Sequence, residues 1–226
     1  MTKGIAIIPE LAVRDLPAAR AMLADVFGFS GNGDLLTLGS QTLALVPAEG
    51  TPGHGKIDHL ALAVADVPAA LAACRARGAR LEATTPDGPR QIAEFWDHGV
   101  EYVFLQGPEG ARLEFCARLD APAAPGLPGH DHIGIPCTDI AATEAFFTDL
   151  GLVPVAAVDL HRPDGVTAVR FLRAGASVVE LYAPPQLQGA AAPFAENALW
   201  RGLRLTGTAL PKGARLGPDG LRLTVV

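Results

Sequence analysis

The sequence predicts an α+β fold assembled from repeated βαβββ modules, three recognisable and a truncated fourth. Three observations predict it. First, "ELAVRDLPAARAMLADVFGF", "LALAVADVPAALAACRARGARL" and "IGIPCTDIAATEAFFTDLGL" share one layout: a short apolar run, an Asp, then an amphipathic stretch, the mark of an internal repeat. Second, Asp15, Asp66 and Asp139 stand where a helix N-cap belongs, and Gly28, Gly78 and Gly151 follow 13, 12 and 12 residues later, where a left-handed helix stop belongs. Third, strand-like runs broken by turns follow each predicted helix.

The first module spans 1–50. Its helix carries an apolar stripe of Leu16, Ala19, Leu23, Val26 and Phe27, with Pro17 in the first turn, where a missing N–H is harmless. Its strands are compressed into "DLLTLGSQTLALVPA". The second module, 56–119, opens on "KIDHLALAVADV", places Val67, Ala70, Leu71 and Cys74 on one helix face, and ends in "VEYVFLQ" and "ARLEFCARL" around a "GPEG" turn. Residues 120–128, rich in Pro and Ala, read as a semi-rigid linker.

The third module, 129–185, opens on "GHDHIGIPCTDI". Its helix stripe is Ile140, Phe146, Phe147 and Leu150, and its strands are "TAVRFLRA" and "SVVELYAP". The fourth, 196–226, keeps "WRGLRLTG" as a first strand and "GPDGLRLTVV", which matches "GPEGARLEFCA". Between them "TALPKGAR", with Pro211 and Gly213, is too short and too broken for a helix.

Composition excludes several functions. Of 226 residues 49% are hydrophobic and 19% charged, so a packed core is expected rather than disorder. The net charge is −6 and Arg75, Arg77 and Arg80 form only a short basic cluster, so no nucleic-acid partner is expected. No apolar run approaches the roughly 18 residues of a membrane span. The opening "MTKGIAIIPE" is unlike a secretion signal, and Cys74, Cys116 and Cys137 form no C-x-x-C pair. A cytoplasmic protein with reduced thiols is expected.

Side chains on a strand alternate faces. His59 therefore shares a face with Ala61 and Ala63, and His132 with Gly134 and Pro136, leaving room above each imidazole. Glu114 and Glu180 sit mid-strand between apolar neighbours, where a carboxylate is costly if buried unpaired. Taken alone, a strand His is more often a hydrogen-bonded structural residue, and a Glu can serve an edge strand. The recurrence of one His and one Glu at equivalent places in two modules favours metal ligation. Two His and two Glu suit one divalent ion, Zn, Ni, Co, Mn or Fe. The first module is a control: Ile8 and Ala44 replace the ligands, and the fourth has Thr224 in place of Glu. Glu10, two places beyond Ile8, is a weaker substitute. His130 shares the predicted face of His132 as a supporting residue; Cys116 and Tyr182, each two places past a Glu, are candidate pocket lining, with plain packing the alternative. His98 and His161 read as exposed loop residues.

The segments "DHLALAVADV", "FWDHGVEYVFLQGPEGARLEFCARL", "HDHIGIPCTDIAATEAFFTDLGL" and "FLRAGASVVELYAP" resemble the vicinal oxygen chelate superfamily, which includes glyoxalase I, methylmalonyl-CoA epimerase, extradiol dioxygenases and bleomycin resistance proteins; glyoxalase I-like proteins are the nearest in pattern. The resemblance covers roughly residues 5–184. It implies modules pairing into curved mixed β-sheets, a metal held in the concavity, and His59, Glu114, His132 and Glu180 as its ligands. The ligand distribution favours pairing of the second module with the third, and of the first with the fourth; the Pro-rich linker points instead to the first with the second and the third with the fourth, and a homodimer is another way to bring modules together. The implied activity is that of a metal-dependent isomerase, lyase or epimerase moving a proton through a metal-bound enediolate on a small oxygenated substrate, with Glu114 or Glu180 as base. An extradiol-type Fe(II) dioxygenase and a bleomycin-resistance-like binding protein are the alternatives. The last uses an aromatic cleft, for which two Trp and two Tyr are a thin supply.

Overall fold

In a computed structural model, residues 5–39, 41–125, 127 and 129–226 are described. The first module comprises β1 (Ala6–Val13), α1 (Leu16–Phe27), β2 (Leu35–Leu38) and β3 (Gln41–Pro47). The second comprises β4 (His59–Ala63), α2 (Val67–Ala76), β5 (Arg90–Ile92), β6 (Val100–Gln106) and β7 (Arg112–Arg118). The third comprises β8 (His130–Pro136), α3 (Ile140–Asp149), β9 (Val153–Arg162), β10 (Gly165–Ala174) and β11 (Ser177–Ala183). The fourth has strands only: β12 (Trp200–Thr206), β13 (Gly213–Leu216) and β14 (Arg222–Val225).

The helices form where the capping residues direct. The side chains of Asp15, Asp66 and Asp139 accept from the backbone N–H of Ala18, Ala69 and Ala142, each satisfying a first-turn donor that has no partner within the helix. Gly28, Gly78 and Gly151 all take positive φ, at 77°, 100° and 95°. Ala19, Leu23, Val26 and Phe27 of α1, Val67, Leu71 and Cys74 of α2, and Thr143 and Phe147 of α3 are buried. None of the described helices is long and apolar enough to cross a membrane.

Two curved mixed sheets result, with orders β5-β6-β7-β4-β8-β11-β10-β9 and β13-β14-β12-β1-β3-β2. In every module the first strand runs parallel to the last: β4 with β7, β8 with β11, β1 with β3, β12 with β14. The two sheets are closed at their centres by antiparallel pairs of first strands, β4 with β8 and β1 with β12. The second module thus pairs with the third, and the first with the fourth. One core cluster joins the helices to one face of both sheets, including Leu11, Leu23, Phe27, Leu60, Leu71, Phe115, Phe147 and Leu203. The sequence reading missed β9, the ten-residue partner of β10. It is an edge strand whose exposed Val153 and Val155 blur the alternation. His161 lies on this strand rather than in a loop, and is exposed.

Two matching turns tie the sheets together. In the 3₁₀ turn Pro108–Gly110 of the second module, Glu109 has φ 53° and its carboxylate accepts from the backbone N–H of Arg14 and Asp15, at 2.7 and 3.0 Å. In the turn Pro218–Gly220 of the fourth module, Asp219 has φ 54° and accepts from the backbone N–H of Thr138 at 3.0 Å. Each turn therefore caps the residues that enter a helix belonging to the other sheet. The recurrence of "GPEG" as "GPDG" has this structural meaning.

Candidate metal centre

The strand register brings the candidate residues together. His59 on β4 lies opposite Gly134 on β8, and Ala61, two residues on, pairs with Glu114 of β7. On the other side of the centre Gly134, two residues beyond His132, pairs with Glu180 of β11. The small residues that flank the imidazoles serve the geometry directly. A Cβ at Gly134 would fall on the His59 ring.

The four side chains converge within this one chain. His59 Nε2 lies 3.1 Å from His132 Nε2, 3.1 Å from a Glu114 carboxylate oxygen and 3.8 Å from one of Glu180. His132 Nε2 lies 3.2 Å from Glu180 and 3.9 Å from Glu114. All four residues are buried, with exposures of 3%, 5%, 5% and 8% for His59, Glu114, His132 and Glu180. Two donors each about 2.1 Å from one ion stand about 3.0 Å apart at a right angle and about 3.4 Å apart at the tetrahedral angle. The spacings of the two imidazoles from each other and from the carboxylates suit a shared divalent ion, and the ligand atoms of His59, Glu114 and His132 all lie within 4.8 Å of one another.

The chemistry of the donors points the same way. Asp58 engages His59 Nδ1 and Asp131 engages His132 Nδ1, each at 2.8 Å. With Nδ1–H given to a carboxylate, each neutral ring turns a lone pair on Nε2 toward the other ring and the two glutamates. Four acceptors then meet with no donor among them, an arrangement that a cation satisfies. In the ion-free protein protons take that role. Burial alone pushes His59 down, but Glu114 and Asp58 outweigh it and raise it to about 9. His132 is likewise driven down by burial, then carried well above its ordinary value by Glu180 and Asp131.

Asp58 and Asp131 were missed as site residues, although the repeated Asp-His pair was a visible signal. Each is held in turn. Arg112 binds Asp58 at 2.6 Å and Glu82 at 3.3 Å, while Arg118 lies 3.6 Å from Asp131 and 3.9 Å from the Trp96 ring centre.

His130 does not share the face of His132. A bulge interrupts the β4–β8 register, so that His59 opposes Gly134 but Leu62 opposes His130. The bulge turns the His130 ring toward Phe29, 6.1 Å between centres, and its backbone N–H donates to Gln41. The ring sits outside the cavity lining. Burial pushes it down to about 4, and its Nε2 has no partner among the described residues. The sequence expectation failed because strict alternation breaks at a bulge.

The four residues lie in a cavity of about 260 Å³ that Cys116 and Tyr182 help to line. Its wall is aromatic, contrary to what composition suggested. Phe104 lies 5.1 Å and Tyr182 6.5 Å from the His59 ring, and Phe171 lies 6.2 Å from His132. Phe95 and Trp96, from the segment between β5 and β6, pack on Phe171 at 5.4 and 5.1 Å. The chain is only 6% aromatic, but the register gathers these rings on one concave face.

Among the described residues the outer sheet lacks this constellation. Register places Ile8, Ala44 and Thr224 at three of the equivalent positions, and Gly202 at the fourth. Glu10 is bound to Arg204 at 2.7 Å and faces Arg201 at 3.5 Å.

No family model matches the chain, and no curated protein matches it. Solved structures do. Glyoxalase I from Zea mays superposes with a TM-score of 0.71 at 14% identity, over 98% of this chain and 92% of that one. A putative dioxygenase from Bacillus subtilis superposes with a TM-score of 0.60 at 12% identity, over 100% of this chain and 86% of that one. At such identities the likeness is one of fold. Paired modules, central first strands and structural neighbours agree: this chain shares the fold of those two structures.

Proposed function

We propose that the protein is a metal-dependent enzyme that moves a carbon-bound proton on a small molecule carrying two adjacent oxygens, as a glyoxalase I-like isomerase or lyase or as an epimerase. The observation that carries this reading is the meeting of the His59 and His132 Nε2 atoms at 3.1 Å, each 3.1–3.9 Å from a carboxylate oxygen of Glu114 and of Glu180, with both Nδ1 atoms already engaged. These four residues would hold one divalent ion, of the Zn, Ni, Co, Mn or Fe class. Bound there, the ion supplies Lewis acidity to two neighbouring substrate oxygens.

The chain's own residues do the rest. Asp58 and Asp131 fix the tautomer and tilt of the two imidazoles. Glu114 or Glu180 takes the proton from carbon and returns it, as both carboxylates face the same small volume. Apolar walls exclude water and keep the electrostatic interactions strong. Metal analysis of the purified protein after loading with Ni²⁺, Co²⁺ or Zn²⁺ is the first test: one bound ion per chain is expected, and its loss in His132→Ala. Absence of stoichiometric ion from the native protein would overturn the reading.

A second reading has one specific support. His59, Glu114 and His132 form one group whose ligand atoms all lie within 4.8 Å of one another, a two-His, one-carboxylate set of the kind used by Fe(II) oxygenases. Oxygen consumption by Fe²⁺-loaded protein with a catechol separates the two readings.

A further inference from the structure

The cavity's walls speak to what enters it. Four carboxylates line it, those of Asp58, Glu114, Asp131 and Glu180, with a single guanidinium, that of Arg112. Arg112 is already engaged by Asp58 and Glu82 and faces the Phe104 ring at 5.3 Å. Even with a divalent ion bound, this lining offers no surplus positive charge to an anionic ligand. Arg118 does not line the cavity and lies against Trp96 and Asp131, and Arg90, at the start of β5, is hydrogen-bonded to the Tyr102 hydroxyl of the wall. The remaining wall is made chiefly of rings and aliphatic groups, with Phe104, Phe171 and Tyr182 around the imidazoles and Phe95 against Phe171. The volume, about 260 Å³, falls just below the roughly 300–1,000 Å³ usual for ligand pockets.

Resting on the proton-transfer reading above, we infer that the substrate is a compact, uncharged aryl compound whose two vicinal oxygens lie next to the ring, and not an anionic thiol-peptide or nucleotide-thioester conjugate. The aryl group packs edge-to-face against Phe171 and Phe104, and the oxygens point to the floor of the cavity. An added carboxylate meets Asp58 or Asp131, whose own guanidinium partners, Arg112 and Arg118, are already engaged.

Calorimetric titration of the loaded native protein with three probes tests this: 2-hydroxyacetophenone, its para-carboxylate, and hydroxyacetone. The aryl ketone should bind at least about tenfold more tightly than either of the others, the scale of one or two well-placed aromatic contacts. In Phe171→Ala and in Trp96→Leu the aryl preference should fall while hydroxyacetone binding holds; the second position, only part-buried, keeps the test available if the first variant folds poorly. Equal binding of hydroxyacetone, or tighter binding of the carboxylate or of a glutathione conjugate, would overturn the inference. Metal stoichiometry on the same samples separates the two claims. Bound ion without aryl preference defeats the substrate class alone, and aryl preference without bound ion defeats the metal reading alone.

Discussion

At the residue scale the site depends on hydrogen atoms at two positions, one carbon-bound and one ionisable. Gly134 has no Cβ, and the His59 ring occupies the space a Cβ would need. Its φ is not positive, so alanine fits the backbone there and the change acts on the ring alone. Gly134→Ala should reduce metal affinity on the order of 10- to 100-fold, as loss of ligand orientation does, while costing about 1–3 kcal/mol of stability from overpacking. Competitive chelator titration with urea unfolding separates the two effects; unchanged affinity would show that His59 is not a ligand. The ionisable hydrogen gives a pH signature. His59 in the ion-free protein is raised to about 9, chiefly against the pull of burial by Glu114 and Asp58. The folded value exceeds the unfolded one, so this contribution to ion-free stability is complete below about pH 6.5 and is lost as pH rises through 9. A bound ion displaces the same proton, so its affinity should rise over that window. Melting temperatures with chelator and with Zn²⁺ should therefore diverge from pH 6 to 9; a constant gap would contradict the assignment.

At the element scale the two 3₁₀ turns do similar work with unequal energetics. Glu109 caps the Arg14–Asp15 backbone at the surface, and its partner Arg14 is 57% exposed. Asp219 meets Lys56 at 2.6 Å with the lysine side chain only 5% exposed, and Lys56 also donates to the Pro136 carbonyl. Removing Asp219 leaves a buried ammonium short of its counter-ion. Asp219→Ala should cost about 3–5 kcal/mol, against about 1–2 kcal/mol for Glu109→Ala, the scale of a lost cap. Adding Lys56→Met to Asp219→Ala should recover much of the loss, because both charges are then gone. Denaturant midpoints decide it, and equal losses at the two turns would refute the distinction. The turns were visible in the sequence as a repeated motif, but their partners were not, since contacts between residues 81 and 95 positions apart leave no local trace. The bulge in the β4–β8 pairing was hidden for the same reason: it is a property of two strands.

At the scale of the whole molecule, local chemistry made the modules legible and pairing made the site. Caps, stops and stripes depend on near neighbours, so α1, α2 and α3 could be read from Asp15, Asp66 and Asp139 onward. The candidate ligands could be read because the repeat supplied two copies to compare with Ile8 and Ala44, the copy that lacks them. The aromatic wall could not, because Phe95, Phe104 and Phe171 come from different strands and loops and meet only once the eight-stranded sheet curves. Among the described residues the outer pair lacks the four acceptors, which meet on the concave face of the middle pair and all come from one chain. The ion should therefore bind at one per chain, and dilution through any oligomer's dissociation should not release it. Gel filtration with metal analysis across a dilution series reads both quantities. His59→Ala and His132→Ala should each empty the site, whereas Ile8→Ala, at the matching position of the outer sheet, should leave the count at one. Two ions per chain would assign chemistry to the outer sheet, and release on dilution would require a ligand from a second copy, so either result contradicts a centre built within the middle pair of modules.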